Sequence, residues 1–134
     1  MNTLYLLKQH HLKATPQRVA MIQLMEIAGH ISIEELYQHI RGQFSSISLA
    51  TLYKNINKMV DKSLVREVKI PGQKTRYEIE KTAHAHLLCN ECGELKDMEF
   101  DVEKLLDEAG KNSHYLPKEV TIVVSGLCPT CKER

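Results

Sequence analysis

Every cysteine in this chain falls into one of two short loops, Cys89-x-x-Cys92 and Cys128-x-x-Cys131. Four cysteines placed at random would rarely sort into two i, i+3 pairs with none left over. Each loop has the span to wrap a tetrahedral ion with two thiolates, and the long insert lets the chain bring both pairs to one Zn²⁺. The competing readings are a redox dithiol and unconnected buried cysteines. The expectation is one structural Zn²⁺ per chain, held by Cys89, Cys92, Cys128 and Cys131. Four thiolates leave no open coordination position, so such a metal would hold the fold and take no part in chemistry.

A chain of 134 residues, 43% of them hydrophobic, can bury one core, or two small ones if a metal supports the smaller. It contains no apolar run long enough to span a bilayer. Its opening residues lack the basic stretch and apolar run of a secretory signal. With reduced thiols, this points to the cytoplasm. The net charge of +1 conceals a division. Residues 1–83 carry twelve Lys and Arg against seven Asp and Glu, a net of +5; residues 84–134 carry six against ten, a net of −4. A basic half and an acidic half suit two domains with different partners, the first being nucleic acid.

The first half has helical punctuation. Asn2 or Thr3 can cap a short helix, and Thr15-Pro16 places a hydroxyl at the N-cap and proline at the first helical position. That second helix runs through Val19, Ile22 and Met25 to Gly29. Ser32-Ile33-Glu34-Glu35 is a capping box, followed by Ile33, Leu36, Tyr37, Ile40 and Phe44 on one face. Ser48 caps a fourth helix over about 49–62. At about 100° per residue, Leu49, Leu52, Ile56, Met59 and Val60 of that helix face inward. Thr51, Lys54 and Lys58 point outward, with Ala50 beside them and Tyr53 and Asn57 on the flank. Small, hydroxyl and basic groups suit a major groove; a merely solvated face is the plainer alternative. The strand-like runs 64–70 and 75–79, separated by Pro71-Gly72, complete a winged helix-turn-helix pattern.

The second half reads as a small α+β module. Residues 86–89 and 95–100 form strands around the first cysteine pair. Residues 101–112 form an acidic helix with Val102, Leu105, Leu106 and Ala109 inward. Val120–Val124 is a buried β-branched strand delivering the second pair. The expected fold class is thus α+β, with a winged-helix DNA-binding domain at 1–80, a hinge at 81–83 and a small zinc-containing α/β dimerisation domain at 84–134. His84-x-His86 on an extended segment presents both imidazoles to one side, a pair that a surface or buffering role explains equally well. Asp97 on the neighbouring strand, Glu78 at the end of the wing and His30 at the turn before the third helix complete a mixed nitrogen and oxygen set. Such a set suits Fe²⁺, Mn²⁺ or Zn²⁺. His10, His11, His39 and His114 read as surface residues.

These residues carry a resemblance. Leu12-Lys13-Ala14-Thr15-Pro16-Gln17-Arg18, His30 before Ile33-Glu34-Glu35-Leu36-Tyr37, Ser48-Leu49-Ala50-Thr51-Leu52-Tyr53-Lys54-Asn55 and His84-x-His86-x-x-Cys89-x-x-Cys92-Gly93 resemble the Fur family of metal-dependent repressors over essentially the full length. The resemblance implies a homodimer bound to a palindromic operator in double-stranded DNA. It implies a regulatory Fe²⁺ or Mn²⁺ site of His30, Glu78, His84, His86 and Asp97. It also implies Lys13 directed at the minor groove, with Tyr53 and its neighbours Thr51, Lys54 and Asn55 at the major groove. Asp97 and the Tyr53-Lys54-Asn55 segment resemble the peroxide-sensing PerR branch, and Glu78 leans toward iron-uptake regulators. Ala85 and Val120 stand where a third metal site would need ligands.

The reading is a non-enzymatic repressor that senses peroxide through the regulatory metal, by oxidation of His30 or His84. The alternatives are a ferrous-iron-responsive repressor and a zinc, manganese or nickel sensor. No membrane is involved, and no small molecule apart from metal ions and hydrogen peroxide. Rivals from other classes are a metalloenzyme built on His84 and His86, which would turn over a substrate, and a thiol redox protein using the cysteine loops.

Overall fold

The computed structural model describes residues 2–80, 84–118 and 120–133. The chain divides into two compact units, Met1–Glu80 and Lys81–Arg134; the expected hinge at 81–83 lies outside the described residues.

The first unit runs α1 (Thr3–Gln9), α2 (Pro16–Ala28), β1 (Ile31–Ser32), α3 (Ile33–Ile40), α4 (Leu49–Asp61), β2 (Val65–Val68) and β3 (Arg76–Ile79). Each helix starts where a short polar side chain satisfies a backbone donor of the first turn. Asn2, Thr15, Ser32 and Ser48 accept from the N–H groups of Tyr5, Arg18, Glu35 and Thr51. The capping box departs from its usual reciprocity. Ser32 Oγ accepts the Glu35 N–H and itself donates to the Glu35 carboxylate, at 3.2 and 2.9 Å. Gly29, at φ 78°, ends α2 in a conformation that glycine adopts at no steric cost.

Leu7, Met21, Ile22, Leu36, Leu52 and Ile56 are completely buried and form the centre of the core. Of the face expected on α4, Leu52, Ile56 and Met59 are buried, but Leu49 is 42% exposed. As the first residue of the helix it projects over the preceding turn, away from the core. Phe44 lies beyond the end of α3, half-buried against the core from the following turn. The wing strands β2 and β3 pair antiparallel, Val65 with Ile79 through Val68 with Arg76. Gly72, at φ 79°, lies in the turn between them. Unexpectedly, two-residue β1 adds to the other edge of β3, giving the order β1-β3-β2.

The second unit runs β4 (Ala85–Cys89), β5 (Leu95–Met98), α5 (Val102–Ser113) and β6 (Val123–Gly126), with a 3-10 turn at Cys131–Glu133. The sheet order is β5-β4-β6, with β5 antiparallel and β6 parallel to β4. The last strand begins three residues later than the β-branched run suggests and is not buried: Val124 is half exposed. Its register is set by β4, where His86 pairs with Val123. On α5 only Val102 is buried, while Leu105 and Ala109, expected inward, are exposed.

Candidate metal centres and nucleic-acid face

The first cysteine loop joins β4 to β5, and the second follows β6. Because β6 lies beside β4 with Cys89 opposite Gly126, both loops emerge at the same end of the sheet. The sulfurs of Cys89, Cys92, Cys128 and Cys131 all lie within 4.8 Å of one another. Sulfurs about 2.3 Å from a tetrahedral ion stand about 3.8 Å apart; Cys92 Sγ and Cys128 Sγ are 3.8 Å apart. Backbone amides supply the surrounding polarity. The N–H groups of Cys92 and Cys128 donate to Cys89 Sγ at 3.5 and 3.4 Å, and that of Cys131 donates to Cys128 Sγ at 3.4 Å.

The amides of Cys92 and then Cys128 bring the Cys89 thiol down to about 6. Cys131 is pushed up, first by the Cys128 sulfur and then by burial. This divergence is what crowded thiols show when the first negative charge opposes the next. A divalent cation at the centre removes that opposition, so the donor set fits Zn²⁺ in chemistry as well as spacing.

The nitrogen and oxygen donors occur in two groups. In the first unit, Ile31 pairs with Tyr77, and the antiparallel register continued by one residue sets His30 opposite Glu78. Their side chains meet at 2.8 Å, His30 Nε2 to Glu78 Oε2, with Glu78 fully buried. The short strand that sequence reasoning missed is therefore the element that positions His30.

In the second unit, His86 and Asp97 are direct cross-strand partners on β4 and β5. His84, two residues before His86, falls on the same side of the extended chain. Its Nε2 lies 3.1 Å from His86 Nε2 and 3.2 Å from Asp97 Oδ1, and the third side of the triangle, His86 Nε2 to Asp97 Oδ1, is 3.7 Å. Donors about 2.1 Å from a first-row divalent ion stand about 3.0–3.4 Å apart. Two imidazoles and a carboxylate at this spacing fit Fe²⁺, Mn²⁺ or Zn²⁺. Both imidazoles are buried, while the Asp97 side chain is 30% exposed.

Thr51, Lys54 and Lys58 lie on the exposed side of α4, as the angular count predicts, and Tyr53, expected on the flank, is exposed as well. Lys13 is exposed in the loop between α1 and α2. Asn55 differs: it is half-buried, and its Oδ1 accepts a hydrogen bond from Arg18 Nε at 3.1 Å. Arg18 Nη1 also donates to the Lys13 carbonyl at 3.0 Å. Among the other histidines, His11, His39 and His114 are exposed and His10 is half-buried, with Nδ1 2.8 Å from the Leu6 carbonyl.

Residues 9–125 match the family described as the Ferric uptake regulator family. A ferric uptake regulation protein of Synechococcus elongatus is 32% identical over 130 residues, covering 90% of this chain and 86% of that protein. A peroxide-responsive repressor PerR of Staphylococcus aureus is 27% identical over 136 residues, covering 96% and 88%. Among solved structures, the Campylobacter jejuni peroxide stress regulator is similar with a TM-score of 0.77 at 35% identity, covering 98% of this chain and all of that one.

Proposed function

The chain belongs to the ferric uptake regulator family, and from that premise we propose that it is a peroxide-sensing repressor. At the coarser level it is a metal-responsive DNA-binding regulator of that family. The finer reading is carried by one observation, the triangle of His84, His86 and Asp97 with the short carboxylate as its open member.

In this reading, Cys89, Cys92, Cys128 and Cys131 hold one structural Zn²⁺. His30 and Glu78 contribute one part of a regulatory site, and His84, His86 and Asp97 the other. Because these two groups belong to different units, a shared ion ties the orientation of one unit to the other and thereby couples metal to operator affinity. The DNA-binding domain is 1–80 and the dimerisation domain 84–134, joined at 81–83. Exposed Leu87, Leu105, Val124 and Leu127 supply apolar surface for a second copy of the chain. Lys13 reaches the minor groove of a palindromic operator, while Thr51, Tyr53 and Lys54 on α4 read the major groove, with Asn55 supporting them. The protein acts in the cytoplasm, as a regulator and not as an enzyme.

Fe²⁺ held by His30, Glu78, His84, His86 and Asp97 would supply the redox chemistry that activates hydrogen peroxide. In the net reaction one peroxide oxygen is inserted at the imidazole C2–H of a histidine ligand, whose two electrons reduce the other oxygen to water. His30 or His84 takes that oxygen and loses its donor nitrogen's affinity for the cation, and the operator is released. Asp97, shorter than a glutamate by one methylene, leaves the face of the site open to peroxide. Mn²⁺, a far poorer reductant of peroxide, binds the same donors without the reaction.

The test compares Fe²⁺-loaded and Mn²⁺-loaded protein for operator binding before and after stoichiometric peroxide, with peptide mass analysis. The expected result is loss of binding by the iron form alone, with a single added oxygen on His30 or His84. Iron-loaded protein that ignores peroxide, with binding that tracks only the Fe²⁺ concentration, would make this a ferrous-iron-responsive repressor. Catalytic turnover of peroxide would instead indicate an enzyme.

A further inference from the structure

Arg18 does not belong to the metal centres, and its side chain is not turned outward with those of α4. It stands in the first turn of α2 and spends its guanidinium on two other segments. Nε donates to Asn55 Oδ1 on α4 at 3.1 Å, and Nη1 donates to the carbonyl of Lys13 at 3.0 Å. The first bond spans thirty-seven positions of sequence, so it is a tertiary tie and not a helix-capping contact. The Lys13 carbonyl also accepts from the Thr15 N–H at 3.0 Å. On the other side, Leu12 is buried in the core and its N–H donates to the Leu7 carbonyl at 2.9 Å. The backbone at Lys13 is thus fixed from both directions, while its side chain remains exposed.

We infer that Arg18 is a positioning residue that fixes the distance between the Lys13 loop and the reading face of α4, so that the two engage one stretch of duplex together. The inference rests on the DNA-binding reading above and deepens it. Two DNA-contacting elements separated by a phosphate strand gain affinity only if neither must be ordered at the moment of binding. The planar guanidinium is suited to the task, since it offers donors in fixed directions to two acceptors at once. A lysine at 18 would keep the charge but supply a single ammonium on a flexible stem. Asn55 is then the α4 end of the bridge, and its side-chain oxygen is committed to Arg18.

The experiment uses the full-length, metal-loaded protein and a duplex that the wild type selects from a random-sequence pool. Arg18→Ala, Arg18→Lys and Asn55→Ala are each measured alone and combined with Lys13→Ala, over a range of salt concentrations. Zinc content and thermal unfolding identify any variant that fails to fold. Asn55→Ala breaks one end of the bridge without altering charge. In the wild-type background, Arg18→Ala, Arg18→Lys and Asn55→Ala should each weaken binding, with Arg18→Ala costing on the order of tenfold. In the Lys13→Ala background, those effects should shrink to less than about twofold, because the anchored side chain is already gone. Arg18→Lys and Asn55→Ala should also lower the salt slope by up to about one, as Lys13→Ala does.

Penalties that simply add to that of Lys13→Ala overturn the inference while leaving the DNA-binding reading in place. Full rescue by Arg18→Lys does the same, since it would make Arg18 a phosphate contact. A wild-type protein that selects no duplex in any metal form overturns the reading itself, and this inference with it.

Discussion

Cys89 and Cys128 reach one another through strands of a single sheet, whereas the imidazoles and carboxylates are divided: His30 and Glu78 lie in the first unit, His84, His86 and Asp97 in the second. The sulfur site is assembled within one unit, and backbone amides aim at its sulfurs before any ion is considered. Of the nitrogen and oxygen donors, Glu78, His84 and His86 are buried, and Asp97 remains partly open to water. Thiolates in a closed tetrahedron hold a metal as part of the fold. Hard and borderline donors at a partly open position hold one that can leave. On the proposed reading, the chain separates permanence from responsiveness by donor chemistry and by where the donors are anchored.

The largest expected effect probes permanence. Cys89→Ser removes a thiolate and the acceptor of two amide hydrogen bonds. With metal binding contributing on the order of 10 kcal/mol to a small domain, the second unit should lose its zinc and its cooperative unfolding. Zinc analysis and circular dichroism measure this, and a folded, zinc-free variant that still dimerises would break the comparison at its stronger side.

A smaller effect is expected at the responsive side. Asp97→Asn is nearly isosteric and partly exposed, so thermal stability and zinc content should not change. The metal-dependent gain in operator affinity, a coupling of about 1–3 kcal/mol, should largely disappear. A chelator applied to the wild type should mimic this substitution without removing zinc. Loss of both metals together would show that the two sites are not separate in kind.

The smallest effect is expected from Asp97→Glu, which keeps the carboxylate and lengthens it by one methylene. Operator affinity in Mn²⁺ should stay within about 1 kcal/mol of wild type, while the iron form's response to peroxide slows. An unchanged response would mean that the length of this carboxylate does not set reactivity, and would weaken the peroxide reading.

Much of this arrangement is legible in the sequence because it depends on local chemistry. Thr15-Pro16, Ser32 and Ser48 cap helices with hydrogen bonds reaching three residues, and the cysteine spacing is local within each pair. What escaped detection is non-local. Ile31–Ser32 is too short to carry a periodic signal, and it is a strand only because β3 offers an edge. The β-branched run at 120–124 signals a strand, but partner β4 decides that the ladder starts at Val123. The apolar stripe of α5 is real, yet Leu105 is exposed because periodicity shows which residues share a face and not what covers it. Asn55 lies in the segment that resembles a DNA-reading helix, and no spacing rule foretells that Arg18 claims its oxygen.

The parallel pairing of β4 with β6 has a consequence for biogenesis. Parallel neighbours cannot be joined by a tight turn, and here β5 and α5 intervene, so thirty-six positions separate the Cys92 and Cys128 sulfurs. At ordinary rates of synthesis the second cysteine pair follows the first by roughly 2–7 s. During that interval the nascent chain carries an isolated dithiol, which lacks half the ligands of the proposed zinc site. Metal retention therefore reports that the crossover has been made and the sheet closed. On that reading, a chain cut short between the two loops would be left without its ion.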